Sequence, residues 1–186
     1  MIAGSGSDAG AFASVVHALA ELAPAHPELL VFADEQAVRE AAVWPLVQKL
    51  RLADRFTIAP HIEARRELTL RSDILIIPEA RGEQRTLTLD AMAAGMVVLA
   101  AQDPCVSVLI DGRTARLVRR PEVSAWKEAL AWALDRPDAS AQLGASAREH
   151  VRQHCRASAH IASVLGSYEW MLSGAPIPFT GGAEVR

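Results

Sequence analysis

Residues 72–101, SDILIIPEARGEQRTLTLDAMAAGMVVLAA, constrain the fold of this chain more than any other stretch. Ile74-Leu75-Ile76-Ile77 is a short run rich in β-branched residues and closed by Pro78, which suits a parallel strand covered on both faces. The polar loop at 79–85 carries two acids, two arginines, a glutamine and one glycine. Leu87, Leu89, Met92 and Ala93-Ala94 then line one helical face, Gly95 stops the helix, and 96–101 repeats the buried-strand pattern. Two apolar strands joined by a helix must lie parallel. In an open parallel sheet, ligands sit outside the carboxyl ends of the strands, where loops meet helix N-termini. The loop at 79–86 is therefore the first candidate for function.

The rest of the chain continues the alternation. Ile2-Ala3 ends a strand that enters Gly4-Ser5-Gly6-Ser7-Asp8-Ala9-Gly10, and Phe12, Val15, Val16, Leu19 and Leu22 give helical spacing up to Pro24. A glycine-rich turn of this kind can cradle phosphate, because its amides converge at a positive helix end. The spacing is neither GxGxxG nor a P-loop with its lysine, so a plain flexible turn reads equally well. Leu29-Leu30-Val31-Phe32 is the next strand, Asp34 caps a helix from Glu35, and Pro45 interrupts that helix or opens a second one reaching Leu52. Residues 55–58 form a third strand and 62–71 a charged surface helix. Beyond Ala101, 104–109 reads as a short helix, and Asp111-Gly112 as a turn into a strand at 115–118. Helices follow at 123–134, with Trp126 and Trp132 in the core, from Pro137, and at 157–172. The proline- and glycine-rich tail has little to bury and should be mobile. The expectation is an α/β domain over 1–172 with a tail at 173–186. Its sheet is a single Rossmann-like, doubly wound, mostly parallel one of about five or six strands flanked by helices.

A net charge of −3 gives no electrostatic case for nucleic acid or an acidic membrane, and the arginines are spread apart from Arg119-Arg120. Cys105 and Cys155 are too few for a disulfide framework or a metal cluster and read as reduced, partly buried thiols. No long apolar run predicts a membrane span, and MIAGSGSDAG lacks the regions of a signal peptide, so a cytoplasmic location is expected. His17, His150, His154 and His160 fall on helices without metal-ligand spacing, and His61 follows Pro60 near the rim of the expected cleft. The Ser5-Gly6-Ser7 run has no nucleophile elbow or base, and Asp73 and Asp111 read as turn acids.

From Asp54 onward the order of features resembles the C-terminal half of glycosyltransferases of family 4, the group 1 family. The phrases that carry the likeness are LADRFTIAPHI at 52–62, SDILIIPEA at 72–80 and LTLDAMAAGMVVLA at 87–100, followed by VSVLIDGRTARLVRRPEVSAWKEALAWALDRP at 106–137 and SAREHVRQHC at 146–155. The 4–10 turn resembles the family's first strand-to-helix turn more loosely. The resemblance implies one half of a GT-B fold: the donor-binding half of a retaining enzyme that moves a sugar from a nucleotide-sugar to an acceptor. The nucleotide-sugar is a substrate, and no metal or other cofactor is implied. The acceptor-binding N-terminal domain would come in cis or from another chain, the last helix would pack towards it, and any peripheral membrane association would pass through it.

Residue by residue, the resemblance places the carboxylate that accepts bonds from the ribose hydroxyls at Asp90, where the family usually has glutamate. The family's other acid falls on Gly82, and Glu83, one place along, stands as its catalytic substitute. The first-turn arginine and lysine that neutralise the donor diphosphate fall near Gly4 and Ala9. Arg81 and Arg85, with the amides around Thr86 and Leu87 and the turn residues Gly4, Ser5 and Gly6, would take their place. Those losses favour an alternative, a catalytically degenerate module that binds nucleotide or a protein partner, and because the architecture hosts many chemistries another GT-B enzyme such as a sugar epimerase is a further alternative.

Overall fold

In the computed structural model, which describes residues 1–59, 67, 71–80, 85–120 and 122–173, the apolar runs become parallel strands. They are β1 (Val31–Asp34), β2 (Phe56–Ala59), β3 (Ile74–Ile77), β4 (Val97–Ala101) and β5 (Arg116–Val118). Val31 lies opposite Phe56, Ile74 opposite Val97, and Leu99 opposite Arg116. The β1–β2 pair and the β3–β4–β5 trio meet through Ile2, which bridges in parallel to both Ala33 and Ile76. The order across the sheet is thus β2, β1, residues 1–3, β3, β4, β5. The chain starts near the middle, builds outwards to one side, and crosses back to build the other, as a doubly wound sheet does.

Seven helices are described: α1 (Ala9–Leu22), α2 (Glu35–Glu40), α3 (Trp44–Lys49), α4 (Arg85–Ala94), α5 (Val123–Asp135), α6 (Pro137–His154) and α7 (Ala157–Ser173). Alternate strand residues serve opposite faces of the sheet. Ile76, Val97, Leu99 and Ala101 join a core with α1 and α5, in which Trp126 is fully buried. Leu75, Ile77, Val98 and Ala100 join a second core with Ala91 and Met92 of α4 and Ala147 of α6. All five residues of β4 are buried, which is why its sequence is apolar without alternation.

Local chemistry sets the element ends. Asp34 Oδ1 accepts from the Gln36 amide at 3.0 Å and starts α2, and Pro45 sits in the first turn of α3. Gly95 ends α4 with φ +83°, and the Arg148 guanidinium donates to the carbonyls of Ala93 (3.1 Å) and Ala94 (2.6 Å), capping that end. Gly144 lets α6 approach so closely that a Cβ there would overlap the Gly95 carbonyl.

Several expectations shift. β1 starts at Val31, leaving Leu30 exposed. Residues 104–109 form turns, not a helix. Asp103 Oδ1 accepts from the Cys105 amide at 2.8 Å, and the Thr114 hydroxyl donates to the Val108 carbonyl and accepts from the Ile110 amide, both at 2.7 Å. These side chains satisfy the backbone in place of a helical ladder. Trp132 is half-buried, with the Arg116 guanidinium 4.9 Å from its ring centroid. Cys105 and Cys155 are exposed, not partly buried. The expected helix at 62–71 and the tail beyond Ser173 lie outside the described residues, apart from Glu67 and Arg71. On α7, Ile161, Leu165, Tyr168 and Leu172 recur at helical spacing and stay exposed. Among the described residues no helix is long and apolar enough to cross a membrane.

The Gly144 contact makes a testable contrast with Gly166, where an added Cβ would meet open space. Gly144→Ala should destabilise the fold by about 1–3 kcal/mol through overpacking. Gly166→Ala should instead stabilise α7 by up to about 1 kcal/mol through helix propensity. Urea denaturation of both variants measures the two changes.

Candidate functional site

Residues 1–3 and β3 are neighbours in the sheet, yet their onward connections part to opposite faces, one through the 4–8 turn to α1 and the other through 78–84 to α4. The winding reverses here, with the starts of α1 and α4 on either side of the carboxyl edge, the place where doubly wound sheets form a ligand crevice.

The turn into α1 is an anion cradle by construction. Gly6 has φ +82°, and a Cβ there would come within 2.7 Å of Glu40 Cβ and 2.8 Å of the Ala37 carbonyl. That left-handed residue turns successive amides towards a common point. Asp8 caps α1, its Oδ1 accepting from the Ala11 amide at 3.0 Å.

The cradle holds a carboxylate from across the crevice. Glu79, which follows Pro78 at the end of β3, is buried, with 6% of its surface exposed. Its Oε1 accepts from the Gly6 amide at 2.9 Å. Its Oε2 accepts from the Asp8 amide (3.0 Å) and from the hydroxyls of Ser5 (3.0 Å) and Ser7 (2.9 Å). Gly4 makes room for this arrangement, since a Cβ on it would overlap Glu79 Oε1 and lie 2.7 Å from Phe12 Cζ. Burial works to raise the Glu79 pKa, but the Gly6 amide, the Ser7 hydroxyl, the Asp8 amide and the Ser5 hydroxyl outweigh it and hold the carboxyl below its usual range.

The other anticipated residues divide. Asp90 is exposed, about one and a half turns into α4, and shares an outward face with Thr86 while Thr88, Ala91 and Met92 point into the core. Leu87 is half-buried against the core beneath α4, so its side chain packs. Ser5 and Gly6 line the cradle, but their partner there is Glu79. Ala9 is the first residue of α1 and exposed. Arg81, Gly82 and Glu83 lie outside the described residues, as does the side chain of Arg85, which opens α4. Glu79, Ser7 and Asp8 were not anticipated. Among the described residues no group of three or more His, Cys, Asp or Glu side chains could hold a metal ion. A depression of about 760 Å³ lies at the opposite edge, lined by the strand starts Val31, Ile74 and Val97.

A family model described as "Glycosyl transferases group 1" matches residues 11–150. The chain belongs to that family. Over 118 residues this group 1 domain is 35% identical to the D-inositol 3-phosphate glycosyltransferase of Gordonia bronchialis, covering 62% of the chain and 26% of that protein. In three dimensions it is similar to sucrose-phosphate synthase of Thermosynechococcus elongatus, with a TM-score of 0.78 at 20% identity, over 94% of the chain and 45% of the enzyme. HepE of Anabaena, solved in complex with UDP, gives 0.68 at 17% identity, over 83% of the chain and 44% of that protein. The chain therefore spans less than half the length of each of these relatives. Both structures have the GT-B glycosyltransferase architecture, and the sheet described above is a Rossmann-like half of it.

The bonds around Glu79 join two loops more than seventy residues apart in sequence. Glu79→Gln should lower stability at pH 7 by about 1.5–3 kcal/mol, the range for hydrogen bonds to a charged group. Because the folded-state pKa lies below the ordinary value of 4.5, the carboxylate's contribution is full above that pH and fades as the pH falls through the lower folded value. The gap between wild type and variant should therefore be constant from neutral pH to about 5 and close in stronger acid, as read by urea denaturation at stepped pH.

Proposed function

We propose that this chain is the donor-binding half of a retaining glycosyltransferase, which transfers a sugar from a nucleotide-sugar to an acceptor. The acceptor-binding domain is supplied in cis or by another chain, so this half alone is inactive. The single observation that carries the proposal is the reversal of the winding between residues 1–3 and β3, flanked by the starts of α1 and α4, with Asp90 exposed on α4. Family membership and a UDP-bound structural relative support it.

In this scheme the Asp90 carboxylate accepts hydrogen bonds from the ribose hydroxyls, with aspartate's shorter reach drawing the ribose closer to α4. The diphosphate lies at the helix starts. As the glycosyl bond breaks, negative charge grows on the leaving nucleoside diphosphate, and the amides around Thr86 and Leu87, with Arg81 and Arg85, offset it. Glu83 takes the place of the family acid that aligns with Gly82. The apolar face of α7 is the surface on which the acceptor domain would rest, which accounts for Ile161, Leu165 and Tyr168 standing exposed.

One observation favours a second proposal, a glycosyltransferase-like module that has lost catalysis and serves as an interaction domain: the amide cradle at α1 already holds an internal anion. Calorimetric titration with UDP, GDP and ADP separates the two. The donor-binding proposal expects saturable binding of one of them, weakened about tenfold, or roughly 1.4 kcal/mol, by Asp90→Ala. Absence of binding by all three would favour the module.

A further inference from the structure

An anion cradle normally awaits an anion from outside. Here its donors are taken by a side chain of the same protein, delivered across the crevice from the end of β3. Gly4 makes room for the exchange, because the space a Cβ on it would need holds Glu79 Oε1. A carboxylate offers two oxygens in a plane, and both are used: Oε1 on the Gly6 amide, Oε2 on the Asp8 amide and the two serine hydroxyls. These are the donors that a phosphoryl group would need at the start of α1.

We propose that Glu79 is a built-in occupant of this cradle, an autoinhibitory contact that a nucleoside diphosphate must displace before its phosphates reach the Gly6 and Asp8 amides. The proposal rests on the donor-binding function above and adds a competitor to it. Two anions cannot share these amides: a diphosphate beside a seated Glu79 would meet a like charge in a partly desolvated crevice. With Glu79 seated, the wild-type protein therefore binds nucleoside diphosphates weakly. Release turns on one side chain that leaves the crevice wall when the ligand takes over its hydrogen bonds.

The test is calorimetric titration of the full chain with inorganic pyrophosphate and, separately, with UDP, GDP and ADP. Wild type is compared with Glu79→Ser, which removes the anion and keeps a short polar group. A second variant, Ser5→Ala with Ser7→Ala, loosens the hold on Glu79 but leaves both backbone amides, and covers the case in which Glu79→Ser fails to fold. Circular dichroism establishes which variants are folded. Pyrophosphate affinity should rise at least about tenfold in Glu79→Ser and by a smaller factor in the double variant. Unchanged or weaker pyrophosphate affinity in the folded variants would overturn the proposal. The nucleotides report on the donor-binding function independently. Nucleotide binding by wild type with no gain in any variant would remove the plug and leave that function standing. A pyrophosphate gain without nucleotide binding would leave Glu79 as a competitor for phosphate alone and remove both the donor-binding function and the nucleoside diphosphate as the displacing ligand, and no binding of either ligand anywhere would remove everything.

Discussion

The sheet is joined in the middle by three residues. Ile2 donates its amide to the Phe32 carbonyl at 2.7 Å and accepts from Asp34 at 3.1 Å on one side. On the other, Ala3 donates to Ile76 at 3.0 Å, and Ile76 donates to Met1 at 2.8 Å. Without those four bonds the β1–β2 pair and the β3–β4–β5 trio would be separate sheets, each too small to cover its helices. With them, the first turn of the chain and the loop after β3 emerge side by side and part to opposite faces. The meeting of Glu79 with the 4–8 turn follows from that junction.

How the junction is filled separates this protein from a generic doubly wound domain. A buried carboxylate is costly unless its oxygens are satisfied, and Glu79 has four donors. It acts both as a staple between the first and fourth parallel segments and as a stand-in for a ligand's phosphate. Stability and ligand access are set against each other at one side chain, as is common where a functional site sits inside a structural seam.

Much of this architecture was legible in the sequence because it is written in short-range chemistry. The run at 74–77 became β3 over the same residues, Asp34 and Pro45 each opened a helix, and Gly95 closed one at a positive φ. Errors arose where a local pattern was overruled from a distance. Residues 104–109 look helical until Thr114, beyond them in the chain, takes the Val108 carbonyl and the Ile110 amide. Trp132 packs against the core as expected but stays half-buried, with the Arg116 guanidinium of β5 over its ring. Asp90 stands out in the sequence because its phrase is contiguous, whereas Glu79 reads as one of two acids in a loop. Its partners lie 71 to 74 residues away, and no local spacing announces them.

The central claim is that the crevice between residues 1–3 and β3 is where a nucleoside diphosphate binds. An amide-resolved NMR titration of the wild-type protein with UDP, GDP or ADP, whichever binds, tests it most directly. The largest shift changes are expected at Gly6, Asp8, Thr86 and Asp90, with the signals of Ser5 and Ser7 moving together as Glu79 leaves. Changes confined to the opposite edge, around Val31, Ile74 and Val97, would contradict it.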